Sequence, residues 1–145
     1  MYKHILLPTD GSPLSERAVT EGIQLAKALG ARVSALHITP LIHPESENPT
    51  AFAAQVREHE RRSEATARTA LGQAEQAARA AGVAYTALHK EGDSPWEEII
   101  SAAAAAGCDL IFMASHGRRG VSALVLGSET NKVLTHSKVP VLVVR

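Results

Sequence analysis

Cysteine is almost missing from this chain: Cys108 stands alone among 145 residues. An internal disulfide is thereby excluded. The setting of Cys108, between the helix-ending Gly107 and an apolar run, suits a buried, inert thiol in a reducing cytoplasm. Aromatic side chains make up only 3% of the residues, so no conspicuous aromatic platform stands ready for a base. Net charge is absent too, with 15 Lys+Arg against 15 Asp+Glu. No global field draws the chain to nucleic acid or to an anionic membrane, and any anion site must be local. No apolar run approaches the roughly 20 residues that span a bilayer, and Met1-Tyr2-Lys3-His4 leads into a strand pattern rather than a signal peptide. The expected location is therefore the cytoplasm. Seven histidines and one cysteine show no metal-ligand spacing, which argues against a structural zinc site.

What is present is a regular alternation. The length suits one domain, expected to cover 1–145, and a core of that size needs no staples. His4 to Pro8 is an apolar run ended by Thr9-Asp10-Gly11-Ser12-Pro13, where Ser12 can cap a helix and Pro13 can take its first position. Ala18, Gly22, Leu25, Ala26 and Leu29 form one face of that helix, and Gly30 ends it. Arg32 to Ile38 is the second strand. A long helix from about Thr50 carries Ala67, Ala70, Leu71, Ala74, Ala77, Ala78 and Ala81 on one stripe and stops at Gly82, and Val83 to Leu88 is expected as strand three. Ser94 and Glu97 have capping-box spacing around Pro95, opening a helix that ends at Gly107. Leu110 to Met113 is strand four. Ser128 is expected to cap a last helix to about Ser137, and Val139 to Val144 is the last strand.

Strictly alternating strands and helices, with nearly continuous apolar strands, predict an open five-stranded parallel α/β sheet covered on both faces, wound by right-handed crossovers. In such sheets ligands bind beyond the carboxyl ends of the strands where strand order reverses. The loops after strands one and four hold the polar residues. Asp10 is placed to accept hydrogen bonds from ribose hydroxyls or to hold a metal beside phosphates. Shaping its own turn and helping to cap the first helix is an equal alternative. After strand four, Gly117, Gly120, Gly127 and Ser128 can present N–H groups and a hydroxyl to phosphate oxygens, with Arg118, Arg119 and Lys132 supplying charge. A flexible loop with two solvated arginines is the plainer alternative. His37 and His116 lie near the expected crevice without a paired carboxylate, which favours hydrogen bonding over general-base chemistry. Ser12 and Ser128 lack the surroundings of an elbow nucleophile.

Ile5-Leu6-Leu7-Pro8-Thr9-Asp10-Gly11-Ser12, Leu36-His37-Ile38, Glu91-Gly92-Asp93 and the stretch from Asp109 to Val144 together resemble the universal stress protein family. The likeness covers essentially the whole chain. ATP-binding members of that family look like G-x2-G-x9-G-S/T, and the frame here is Ala114-x2-Gly117-x9-Gly127-Ser128. The resemblance implies a Rossmann-like sheet of strand order 3-2-1-4-5. It also implies ATP, with or without Mg2+, bound in the crevice between strands one and four. Thr9, Asp10 and the backbone around Ala114 would then lie near the ribose, and backbone atoms of Ile38 and Met113 would edge the adenine. Gly117, Gly127, Ser128 and Glu129 would surround the phosphates, the last two mainly through backbone N–H groups, with His116 and Arg118 beside them. A homodimer joined through Val139 to Val144 is implied as well.

Alanine at position 114 departs from the family frame. At positive φ it would cost about 1 to 2 kcal/mol. Because it continues strand four, the milder outcome, a methyl that crowds the ligand, is expected. Three functions follow. A nucleotide-dependent regulator of an unknown partner protein ranks first. A dimeric interaction module without nucleotide, acting through its dimer surface and the Pro40 to Thr50 loop, ranks second. A dedicated enzyme ranks last, since no nucleophile and base stand out, although slow ATP hydrolysis is compatible with such a site.

Overall fold

The computed structural model describes residues 1–118 and 125–145. In chain order its elements are β1 (His4–Pro8), α1 (Pro13–Leu29), β2 (Arg32–Thr39), α2 (Pro49–Ala81), β3 (Tyr85–Glu91), α3 (Pro95–Ala106), β4 (Leu110–Ala114), α4 (Ser128–His136) and β5 (Val141–Val144). All pairings are parallel, and the sheet runs β3-β2-β1-β4-β5, the expected order.

Alternation along the strands divides the core in two. Ile5, Leu7, Phe112 and Ala114 pack with Ala18, Ile23 and Ala26 of α1 and with Ala74 and Ala78 of α2. Leu6, Leu36, Ile111 and Met113 face the other way, onto Ile99, Ala102 and Ala103 of α3 and Val133 of α4. Each central strand is thus apolar on both faces, as a sheet covered on both sides requires. Small residues on the helices, alanine above all, let the backbones lie close to the sheet.

Helix α2 is longer than the surface it covers. Its 33 residues extend about 50 Å, whereas an eight-residue strand spans about 27 Å. Only Ala67, Ala70, Ala74 and Ala78 are buried on it. The earlier half runs past the carboxyl edge of the sheet, with Glu58 paired to Arg61 and Arg62 at 2.8 and 2.6 Å on its exposed side. Those charges form the solvated ion pairs expected of a helix surface.

Several details of the elements differ from expectation. The second strand runs on to Thr39. Strand β3 begins two residues late and ends three late because Val83 belongs to the cap of α2: its N–H donates to Ala78 O at 2.9 Å, while Gly82 N–H donates to Arg79 O at 3.1 Å. The polar Lys90 and Glu91 still join the strand because its outer side meets solvent. The capping box at Ser94 does not form, and the Ser94 side chain makes no cap hydrogen bond. Strand β5 starts at Val141. Pro140 contributes only its carbonyl, which accepts from Ile111 N–H at 3.0 Å.

Candidate functional site

The sheet opens where its order reverses. Register between β1 and β4 ends at Leu6–Ile111, while β4 stays paired with β5 as far as Ala114–Val144. On the other side β1 pairs with β2 up to Pro8–Leu36, and β2 continues with β3 to Thr39–Glu91. A gap therefore lies above the end of β1, with Ile38 on one bank and Met113 and Ala114 on the other. This is the crevice that strand order alone predicts.

Asp10 closes one end of the gap. Its Oδ1 accepts from Ser12 N–H and from the Ser15 hydroxyl, both at 2.9 Å, and its Oδ2 accepts from Arg118 N–H at 2.8 Å. Partial burial pushes the carboxyl pKa up, but these donors outweigh it and hold the group below its ordinary value of 3.8. Asp10 thus shapes its turn, as the second reading of it had it, and the same carboxylate also ties the strand-one loop to the strand-four loop. Gly117 is needed for that tie, because a Cβ there would collide with Asp10 Oδ2.

The start of α4 forms the opposite wall. Ser128 was expected to cap this helix, but the cap residue is Gly127, in extended backbone and without a side-chain hydrogen bond, and Ser128 is already helical. Asn131 N–H donates to Gly127 O at 3.0 Å as the first helical bond. The amides of Ser128, Glu129 and Thr130 precede it and have no acceptor within the helix. Two contacts aim this terminus: Gly127 N–H donates to Ser115 O at 2.8 Å, and the buried Thr130 hydroxyl donates to Ala114 O at 3.1 Å.

Ala114 sits in ordinary strand geometry, and no non-glycine residue among those described has a positive φ. Its methyl packs into the core cluster on the α1 and α2 face rather than on the α4 face. Thr9 is buried, and its carbonyl accepts from His37 Nδ1 at 3.0 Å, which fixes the proton on that nitrogen. Burial lowers the His37 pKa, with His89 and Arg118 adding to the effect against the Thr9 hydrogen bond, so the ring is neutral near pH 7. His116 lies half-buried beside the gap, its Nδ1 3.2 Å from the Ser115 hydroxyl. The Arg118 guanidinium lies over Gly11 and lines a cleft of about 290 Å3 with Glu16, Thr66 and Gln73, between the start of α1 and α2. Arg119 and Gly120 lie outside the described residues.

Glu129 departs furthest from expectation. Its carboxylate Oε2 accepts from Trp96 N–H at 2.9 Å, supplying from α4 the cap that α3 lacks of its own, and Lys132 Nζ lies 3.4 Å from Oε1. The Trp96 ring packs on His136 with centroids 4.8 Å apart. Three supporting residues, Ser15, Thr130 and Trp96 with its backbone amide, were not anticipated as parts of the site. Ser15 and Thr130 each lie within three residues of a motif position, which was the available signal. The Trp96 contact joins elements 33 residues apart and left none.

The sequence matches the universal stress protein family over residues 1–145. The chain belongs to that family. A universal stress protein of Thermus aquaticus is 34% identical over 149 residues, covering all of both chains. Among solved structures, MJ0577 of Methanocaldococcus jannaschii superposes with a TM-score of 0.73 at 28% identity, covering 99% of this chain and 96% of the other. A universal stress protein solved in complex with cAMP superposes with a TM-score of 0.66 at 24% identity, covering 99% and 97%. This universal stress protein shares with them a Rossmann-like parallel sheet. No helix among its described residues is long and apolar enough to cross a membrane.

Proposed function

We propose that this universal stress protein binds an adenine nucleotide, with ATP the first candidate, in the gap above the end of β1, and that occupancy regulates a partner protein in the cytoplasm. The observation that carries this reading is the start of α4. A glycine cap leaves three amides without an acceptor within the helix, beside a crevice whose far wall, at Asp10, is hydrogen-bonded to the same strand-four loop. Amides of that kind, at the positive end of a helix dipole, favour phosphate. A relative solved with cAMP supports an adenine ligand.

In this reading Asp10, Thr9 and the backbone of Ala114 edge the ribose, and backbone atoms of Ile38 and Met113 edge the adenine. Gly117, Gly127, Ser128 and Glu129 surround the phosphates, with His116 lining the site and Arg118 adding charge. Strand β5 is an edge of the sheet, and pairing with a second copy through Val139 to Val144 would satisfy its open backbone groups. Calorimetric titration with ATP and MgCl2 tests the nucleotide reading. Saturable binding of one nucleotide per chain is expected, and no saturation up to about 1 mM, a binding energy near 4 kcal/mol, would overturn it. Mass spectrometry of ligand released from protein purified without added nucleotide would identify the physiological occupant.

A further inference from the structure

We propose that the Glu129 carboxylate limits the phosphate charge that the site accepts, so that it takes nucleotides with about two negative charges, such as AMP or magnesium-bound ATP, and discriminates against metal-free ATP. The inference rests on the nucleotide reading above. Metal-free ATP carries about four negative charges, and chelation by Mg2+ removes two of them.

Glu129 is the second residue of α4, in the turn whose open amides face the gap. A carboxylate in a first turn already draws on the partial positive charge that a phosphate would use. It is also held in place. Swinging it away would leave Trp96 N–H, in the first turn of α3, without its acceptor at 2.9 Å. Trp96 is in turn packed on His136, one helix turn beyond Lys132. Lys132, expected to serve the phosphates, has its ammonium 3.4 Å from Glu129 Oε1, so part of its charge is spent on that carboxylate. Across the gap Asp10 supplies a second fixed carboxylate, kept ionised by its hydrogen bonds to Ser12, Ser15 and Arg118. A phosphate chain thus meets two anchored carboxylates, of which Lys132 offsets one only in part, and the repulsion grows with the charge it brings.

Glu129→Gln isolates this effect, because the amide oxygen can still accept from Trp96 N–H while the charge is gone. Binding of adenosine, AMP, ATP in EDTA and ATP with excess MgCl2 would be measured by calorimetry at low ionic strength. The parent protein should bind ATP at least about tenfold more weakly in EDTA than with MgCl2. In Glu129→Gln that ratio should shrink by about threefold or more, with adenosine affinity unchanged. Lys132→Met, which leaves Glu129 unneutralised, should move the ratio the other way, and about 0.5 M NaCl should compress it in the parent. A thermal melt of each variant establishes that it is folded. Equal gains for adenosine and ATP in Glu129→Gln, or an unchanged magnesium ratio in both variants, would overturn the inference and leave nucleotide binding standing. Failure of the parent to bind any of the four ligands would overturn both.

Discussion

Helices α1 and α4 both begin at the carboxyl edge of the sheet, on either side of the gap above β1, yet their first turns are finished differently. At α1 the Ser12 hydroxyl accepts from Ser15 N–H at 3.3 Å, Pro13 brings no N–H, and Asp10 takes the Ser12 amide. At α4 the cap is a glycine, and the turn offers its amides without a side-chain acceptor. The same strand-loop-helix unit thus yields a closed end that stabilises the fold and an open end suited to an anion. Asp10 belongs to both, since its second oxygen carries the Arg118 amide of the open side.

The comparison breaks most severely at Asp10. Asp10→Ala removes three hydrogen bonds to one carboxylate and should lower stability by roughly 2 to 3 kcal/mol, measured by urea unfolding at pH 7, with nucleotide affinity lost as well. Because the folded pKa lies below 3.8, the carboxylate's contribution is complete above that value and disappears as pH falls through the folded one. The stability gap between parent and variant should therefore close in acid. Giving α4 the finish of α1 comes next. Gly127→Ser supplies a capping hydroxyl, in a site where the new Cβ would lie 3.2 Å from His116 Cα, and nucleotide affinity should fall about tenfold as the amides are covered. The reciprocal change, Ser12→Ala, should cost about 1 kcal/mol in unfolding free energy while leaving the nucleotide dissociation constant within twofold. The smallest effect is expected from Ala114→Gly. With the methyl packed in the core and the backbone unstrained, titration should show less than about a threefold change, under roughly 0.7 kcal/mol.

Sequence made the closed end legible and the open one only partly so. Ser12 and Pro13 are local signals, and the cap that they encode forms within four residues. Alternation and crossover handedness made the parallel, doubly covered sheet legible, whereas its strand order, and with it the place of the gap, followed from the family resemblance. The Ser94 and Glu97 spacing misled because a better acceptor arrives from another element: Glu129 takes the Trp96 amide. Val83 looked like strand because it is apolar, although the turn that ends α2 had already committed its amide. Ser128 was taken for a cap on residue type alone, and only the backbone places that role one residue earlier. Tertiary hydrogen bonds of this kind leave no periodicity to read.

The buried thiol has a consequence for what this universal stress protein can perceive. Cys108 is 6% exposed, and burial, with Asp109 adding to it, pushes its pKa up to about 11. At neutral pH little of it is the thiolate, the form that peroxide and disulfides attack. Oxidants therefore find little purchase on the single cysteine of the folded molecule, and a thiol switch is not the means by which it would register a cell's redox state.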